Sequence, residues 1–471
     1  MRDGMEYLSA LDAAFLEVED ADPHVSLAIG AVTVLDGPAP GQAELLSALG
    51  ERLAAVPRFG QRVRRAPLDV IRPAWADDPE FDLSYHVRRA ALPAPGDDAT
   101  LCCFVARVME QRLDRDHPLW ECWIVEGLTG GHWAVVMKVH HCLADGIAGQ
   151  RLYDFFADQG QVQESAPVIS MPQCRARGLR HDIVDSVTSV VNLPLGVIRS
   201  LPDVISGAQR LVTGLVRPST PTSLLGPIGR ARRYSVARVS LDDAREIGAA
   251  FGATVNDVAL AAVTRALRTL LINRGEHPPA DAVRAMVPVS MRPGDAGRVL
   301  DNRLSIMTAH LPVEIADPVH RLNEVRARLN AVKSGHESEA RASIITIAER
   351  APSALISWLV RLIGRLPQRS IVTLATNVRG PDVPLSLFGR PIVEIWPIAP
   401  IALRLRIGVA MMSYHDRLTF GITADYRTAP ETTLLSTEIE SGIAELVQAT
   451  RLVLRRPRGE SHAPTGDIAT G

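Results

Sequence analysis

The alternation of apolar and polar positions divides this chain into two runs of strands and helices, separated by a stretch of different character. Val25 to Leu35 is rich in Val, Ile and Ala, interrupted only by Gly30, and reads as a strand. Gln42 to Leu53 carries Leu45, Leu46, Leu49 and Leu53 at helical spacing and stops before Pro57. Ser9 with Asp12 three residues on predicts a short capped helix near the start. Phe81 to Val87 begins another strand, and Thr100 to Leu113 is a helix with an apolar stripe at Leu101, Phe104, Val105, Val108 and Met109. Pro118 ends that helix. Trp120 to Val125 and Trp133 to His140 then read as strands paired across the turn at Gly127 to Gly131. Gly149 to Ala157 is helix-like, with Leu152, Phe155 and Phe156 on one face.

From Ile183 to Val216 the periodicity changes. Leu201, Val204, Ile205, Ala208, Leu211, Val212 and Leu215 recur at three- and four-residue steps, opposite Asp203, Gln209, Arg210 and Arg217. An amphipathic helix of this kind either packs on the body of the protein or docks at a membrane or lipid-droplet surface. Pro218 to Thr222 and Gly226-Pro227 form a loop. The second run has strands near Tyr234 to Val239, Val283 to Arg292, Leu304 to Leu311, Ile371 to Thr376, Pro391 to Trp396, Arg406 to Met412 and Leu418 to Thr423. Its helices are Leu241 to Phe251, Thr254 to about Ile272, two or three between Pro318 and Leu366, and Leu434 to Leu454. The pattern therefore predicts lobes over 1–180 and 231–456, a helical linker over 181–230 and a disordered tail over 457–471.

Composition narrows the classes of function. Of 471 residues, 46% are apolar, which suits a packed globular protein. A net charge of −2 gives no bulk attraction to nucleic acid. Lys138 and Lys333 are the only lysines among 51 basic residues, which reflects codon bias more than a phosphate-binding design. Five irregularly spaced cysteines show no metal spacing and, with no signal peptide, point to a reducing cytoplasm. No apolar run reaches the length of a transmembrane helix. Oligomeric state has no signature in the sequence.

The candidate chemistry lies at Lys138-Val-His140-His141-Cys142-Leu-Ala-Asp145-Gly146, between the Trp133 strand and the Gly149 helix. Alternation along a strand lets only one of the two histidines face any one cavity, and Cys142 should then face away from the cavity of His141. An imidazole near its ordinary pKa takes a proton from an alcohol at neutral pH. Thr254 with Asp257 fits a capping box, which explains Asp257 structurally and leaves the Asn256 amide free to reach into a cleft. Trp120, in Pro118-Leu119-Trp120, reads first as a bulky ring packed beside its strand.

The pattern His-His-x-x-x-Asp-Gly resembles the active-site motif of the CoA-dependent acyltransferase superfamily. With Pro118-Leu119-Trp120, Asn256-Asp257-Val258, Val287 to Arg292, Asn302-Arg303 and Thr376 to Pro381, the chain resembles the bacterial wax ester synthase/acyl-CoA:diacylglycerol acyltransferases. Asp301 and Arg379 depart from that family's usual Gly and Pro. The resemblance implies two chloramphenicol acetyltransferase-like α/β lobes with mixed sheets, joined by a helical crossover linker. It implies transfer of a long-chain acyl group from acyl-CoA to diacylglycerol or a long-chain alcohol, with His141 as general base. His140, Asp145 and Gly146 would support the motif, Asn256 would position the acceptor or the oxyanion, and Pro118, Leu119 and Trp120 would line a substrate pocket. No metal or cofactor is implied; the partners are acyl-CoA, a lipid alcohol and a membrane or lipid-inclusion surface. Two rival readings stay open: a condensation-type acyltransferase using carrier-protein thioesters, and a non-catalytic lipid-droplet binding protein.

Overall fold

The apolar run Trp133–His140 becomes an interior strand in this protein. The structure, a computed structural model, describes residues 6–54, 56–65, 73–144, 157–158, 220–290, 304–334 and 370–455. In the first lobe the strands are β1 (Ala28–Leu35), β2 (Gln61–Arg64), β3 (Ala74–Asp77), β4 (Val87–Ala91), β5 (Trp120–Glu126) and β6 (Trp133–His140). The helices α1 (Ala10–Ala21), α2 (Gln42–Ala54), α3 (Leu83–His86), α4 (Asp98–Glu110) and α5 (His141–Ala144) accompany them. The second half contributes strands β7 (Arg232–Ser240), β8 (Val283–Ser290), β9 (Leu304–Leu311), β10 (Thr373–Arg379), β11 (Ser386–Leu387), β12 (Arg390–Ile398), β13 (Ile407–Tyr414) and β14 (Arg417–Asp425). Its helices are α6 (Leu241–Phe251), α7 (Val255–Asn273), α8 (Pro318–Ser334) and α9 (Thr432–Arg455).

Two six-stranded mixed sheets result, ordered β11-β12-β1-β6-β5-β4 and β7-β14-β13-β10-β8-β9. Interior β6 is buried at every residue, whereas edge strand β4 alternates. The sheet memberships cut across the boundary expected from the sequence. Ser386–Leu387 and Arg390–Ile398, placed in the second lobe, complete the first sheet, with β12 antiparallel to β1 in the register Gly30 to Ile398 and Val32 to Trp396. The two sheets meet along this crossing strand. The Thr419 hydroxyl on β14 donates to Ile395 O at 2.6 Å, and the Tyr234 hydroxyl on β7 donates to Pro397 O at 3.0 Å. A Cβ on Gly421 would stand 1.7 Å from Pro397 O, so only glycine lets β14 approach β12 this closely. Arg238 on β7 grips the Glu394 carboxylate at 2.6 and 3.2 Å, reaches Asp98 on α4 at 2.7 Å and lies over Trp396.

Local chemistry sets the ends of the elements. The Ser9 hydroxyl accepts the Asp12 N–H at 3.0 Å and starts α1, which runs longer than the short helix expected. Thr254 and Asp257 form the reciprocal capping box of α7, as their spacing predicts. Phe81 to Val87 is not a strand. The Asp82 carboxylate captures the Ser84 N–H at 2.8 Å, folds 83–86 into one helical turn and delays the strand to Val87. Nor does Pro118 end α4, which stops at Glu110. The Gly149 helix up to residue 156, the amphipathic stretch over 183–216, the helices expected beyond 334 and the tail lie outside the described residues, as do Asp145, Gly146, Asp301 and Asn302-Arg303.

Candidate active site at the end of a buried strand

Strand β6 delivers the two histidines, but alternation does not separate them. His140 is the last strand residue and His141 the first of helix α5, so the strand-to-helix turn sets their directions. The His141 N–H donates to Leu27 O at 3.1 Å, and the His140 N–H donates to Leu119 O at 2.9 Å. Two neighbouring backbone segments thus hold the turn on either side.

His140 points into the protein and is 1% exposed. Its Nδ1 accepts the Cys142 N–H at 3.2 Å, which leaves the ring proton on Nε2. Nε2 faces the Glu19 carboxylate of α1 at 3.6 Å. Glu19, 2% exposed, also accepts the Leu27 N–H at 3.0 Å and an Arg115 N–H at 2.8 Å. Burial alone would raise the Glu19 carboxyl, but His140, Arg115 and the Leu27 amide outweigh it and hold the group at about 2.

His141 is different. Its ring lies on Phe15 of α1, with centroids 4.0 Å apart and planes tilted by 32°. Its Nδ1 is buried without a partner among the described residues, while the residue as a whole is partly exposed. Burial lowers its pKa to about 4. The ring is therefore neutral at physiological pH, with a lone pair available.

Around the turn the remaining groups are structural. Cys142 sits in the helical turn, not on a strand, and its buried Sγ lies 3.0 Å from His140 Nδ1. Burial pushes its thiol pKa up, so it holds its proton. Lys138, fully buried, donates to Val108 O at 2.8 Å and Gln111 O at 2.7 Å, closing the C-terminal end of α4 with a cation. The lysine thus anchors β6 two residues before the histidines. Pro118, Leu119 and Trp120 are all buried. Trp120 Nε1–H donates to Phe59 O at 2.8 Å and its ring stacks on His86 at 4.4 Å, which is the packing arrangement its sequence context suggests. The segment reaches the motif through the Leu119 carbonyl.

Asn256 opens α7 in the second lobe. Its Oδ1 accepts from Asn377 Nδ2 on β10 at 3.0 Å. That pairing occupies the Asn256 oxygen, and among the described residues nothing pairs with its amide N–H groups, which can donate. Asp257 is 3% exposed and occupied by its capping box. A Cβ on Gly380, three residues past Asn377, would stand 2.1 Å from Ser413 O, so the end of β10 requires glycine there. Arg379 turns outward to an exposed pair with Asp382. No hydrogen bond or ring contact joins Asn256 to His141 among the described residues. Nor do three His, Cys, Asp or Glu side chains gather there as a metal site.

Phe15, Glu19, Leu27 and Arg115 are the site residues that sequence reading missed. Glu19 stands among Glu17, Asp20 and Asp22, and nothing in the pattern sets it apart from its acidic neighbours.

Residues 8–259 match the family model of the wax ester synthase/diacylglycerol acyltransferase catalytic domain, and residues 300–447 match that of the C-terminal domain of the same group. The chain is 44% identical over 460 residues to a probable diacylglycerol O-acyltransferase, tgs1, of Mycobacterium tuberculosis H37Rv, covering 96% of this chain and 98% of the relative. It is 38% identical over 443 residues to the putative diacylglycerol O-acyltransferase Rv3371 of the same organism, covering 94% and 91%. Among solved structures it resembles the wax ester synthase/diacylglycerol acyltransferase of Marinobacter aquaeolei VT8, with TM-score 0.67, 24% identity and 95% and 100% coverage. The first condensation domain of the calcium-dependent antibiotic synthetase shares the fold at TM-score 0.53 and 16% identity, covering 95% of this chain and 97% of that one.

Proposed function

This chain belongs to the wax ester synthase/diacylglycerol acyltransferase family, and we propose on that premise that it transfers a long-chain acyl group from acyl-CoA to the hydroxyl of diacylglycerol or of a long-chain alcohol, with His141 as general base. The observation that carries the reading is the state of His141: a neutral imidazole packed on Phe15, in a partly exposed residue at the turn that ends a fully buried strand.

In this mechanism the acceptor hydroxyl gives its proton to His141 Nε2 as its oxygen attacks the thioester carbonyl. The carbonyl oxygen becomes an oxyanion, and the free amide N–H of Asn256, oriented by Asn377, is the donor assigned to it. The intermediate collapses, the carbon–sulfur bond breaks, and the imidazolium returns its proton to the departing CoA thiolate. The ester and free CoA leave with the base restored. His140 and Asp145 are assigned to hold the turn, Gly146 to keep the approach open, and the reaction requires no covalent intermediate on Cys142. Because the acceptors are apolar lipids, we place the reaction at a membrane or lipid-inclusion surface. Among the described residues no single helix is long and apolar enough to cross a membrane.

The test is thiol release from palmitoyl-CoA by the purified protein with diacylglycerol, hexadecanol or no acceptor, beside His141→Ala. Acceptor-dependent release that disappears in the folded variant is expected. An active His141→Ala protein would refute the base, and turnover with a carrier-protein thioester but not with acyl-CoA would refute the donor.

A further inference from the structure

Helix α1 is not an ordinary packing element. Phe15 and Glu19 stand one helical turn apart on the same face and both reach the histidine turn. Phe15 lies against the His141 ring. Glu19 acts on the backbone beneath it in two ways. Its Oε1 accepts the Leu27 N–H at 3.0 Å, and the Leu27 carbonyl accepts the His141 N–H at 3.1 Å. Its Oε2 faces His140 Nε2, while His140 Nδ1 accepts the Cys142 N–H. The residues before and after His141 are therefore both tied to one buried carboxylate. Arg115 keeps that carboxylate charged and in turn pairs with Asp20 at 2.7 Å.

We propose that Phe15 and Glu19 are positioning residues for this reaction, Phe15 by fixing the ring plane of His141 and Glu19 by holding His140 in its Nε2–H tautomer and clamping Leu27 beneath the base. The inference rests on His141 being the base. It assigns no bond-making step to either residue. What they supply is orientation: an imidazole whose Nε2 must meet a hydroxyl proton within hydrogen-bond reach loses rate when its ring is free to rotate. At 3.6 Å the Glu19 carboxylate and His140 Nε2 are not within hydrogen-bond distance, so the carboxylate favours the proton on the facing nitrogen by charge, a longer-range form of the orientation seen in hydrolase triads and metal sites. Here the carboxylate acts one residue upstream of the base, through the turn.

Glu19→Gln keeps the shape and the acceptor for the Leu27 N–H. Its amide N–H groups then face two other donors, Arg115 and His140 Nε2–H, so the His140 tautomer should change. Steady-state kinetics with palmitoyl-CoA should show kcat reduced by roughly 10- to 100-fold with KM within about twofold. In 15N spectra of histidine-labelled protein, identified against His140→Asn, the unprotonated Nδ1 signal of His140 should shift in Glu19→Gln. Wild-type kcat in that variant would overturn the proposal, and so would a kcat loss with the His140 signal unmoved, which marks a merely structural role. If Glu19→Gln does not fold, Phe15→Leu decides. A kcat loss of about tenfold or more with unchanged KM and melting temperature supports the splint, and unchanged kcat overturns it. His141→Ala is run alongside. Activity in that variant defeats the base assignment itself, whereas an inactive His141→Ala beside a fully active Glu19→Gln defeats only the positioning role.

Discussion

Acidification should leave the rate of this enzyme intact well below the pH at which an ordinary histidine would stop it. Burial places the His141 pKa at about 4, against an ordinary value near 6.5. A general base must be unprotonated in the free enzyme, so kcat/KM follows the neutral fraction of His141. At pH 5.5 that fraction is about 97% for a pKa of 4 and about 9% for an unperturbed imidazole, a roughly tenfold difference in kcat/KM. Initial rates of thiol release at low acyl-CoA, from pH 4.5 to 8, separate the two cases. Folding must be followed alongside by tryptophan fluorescence, because the same shift bears on stability. The unfolded histidine titrates near 6.5 and the folded one near 4, so the unfolded chain binds more protons between those values. Stability is then complete above about 6.5 and falls as pH drops toward 4, by about 1.4 kcal/mol already at pH 5.5. An acid limb of kcat/KM with its midpoint near 6.5, in protein that remains folded, would refute the claim that the base is enclosed.

Other consequences can be checked on the folded state. Glu19, held at about 2, should stabilise the protein fully above about 4.5 and lose that contribution, roughly 3 kcal/mol, as pH falls toward 2; urea unfolding across that window reads it, and Glu19→Gln should flatten the dependence. Arg238→Met leaves Glu394 without its cation at the seam between the sheets and should lower unfolding free energy by about 3 kcal/mol, measured by urea denaturation. Gly421→Ala drives a methyl into Pro397 O and should cost at least ~3 kcal/mol, seen as a lower urea midpoint. Thr254→Ala removes one half of the α7 capping box and should cost about 1 kcal/mol in the same assay.

Much of this protein was written in local pattern. The apolar run from Trp133 to His140 is an interior strand because a strand covered on both faces needs apolar side chains on both. Leu45, Leu49 and Leu53 bury one face of α2 at the spacing read from the chain, and Thr254 with Asp257 caps α7 as their separation requires. The histidine pair was legible as a motif, since its spacing to Asp145 and Gly146 is a property of the sequence. Three things were decided only in three dimensions. A strand from the second half, Arg390–Ile398, entered the first sheet, because sheet partners are chosen by packing and register across hundreds of residues. The Asp82 side chain defeated a strand pattern through one hydrogen bond that no periodicity records. And the environment of His141 arose from Phe15, Glu19, Leu27 and Arg115, which are distant in the chain and unremarkable in it. Residue type and spacing identify which groups carry the chemistry; their protonation and orientation follow from burial and long-range contacts, which exist only once the chain has folded.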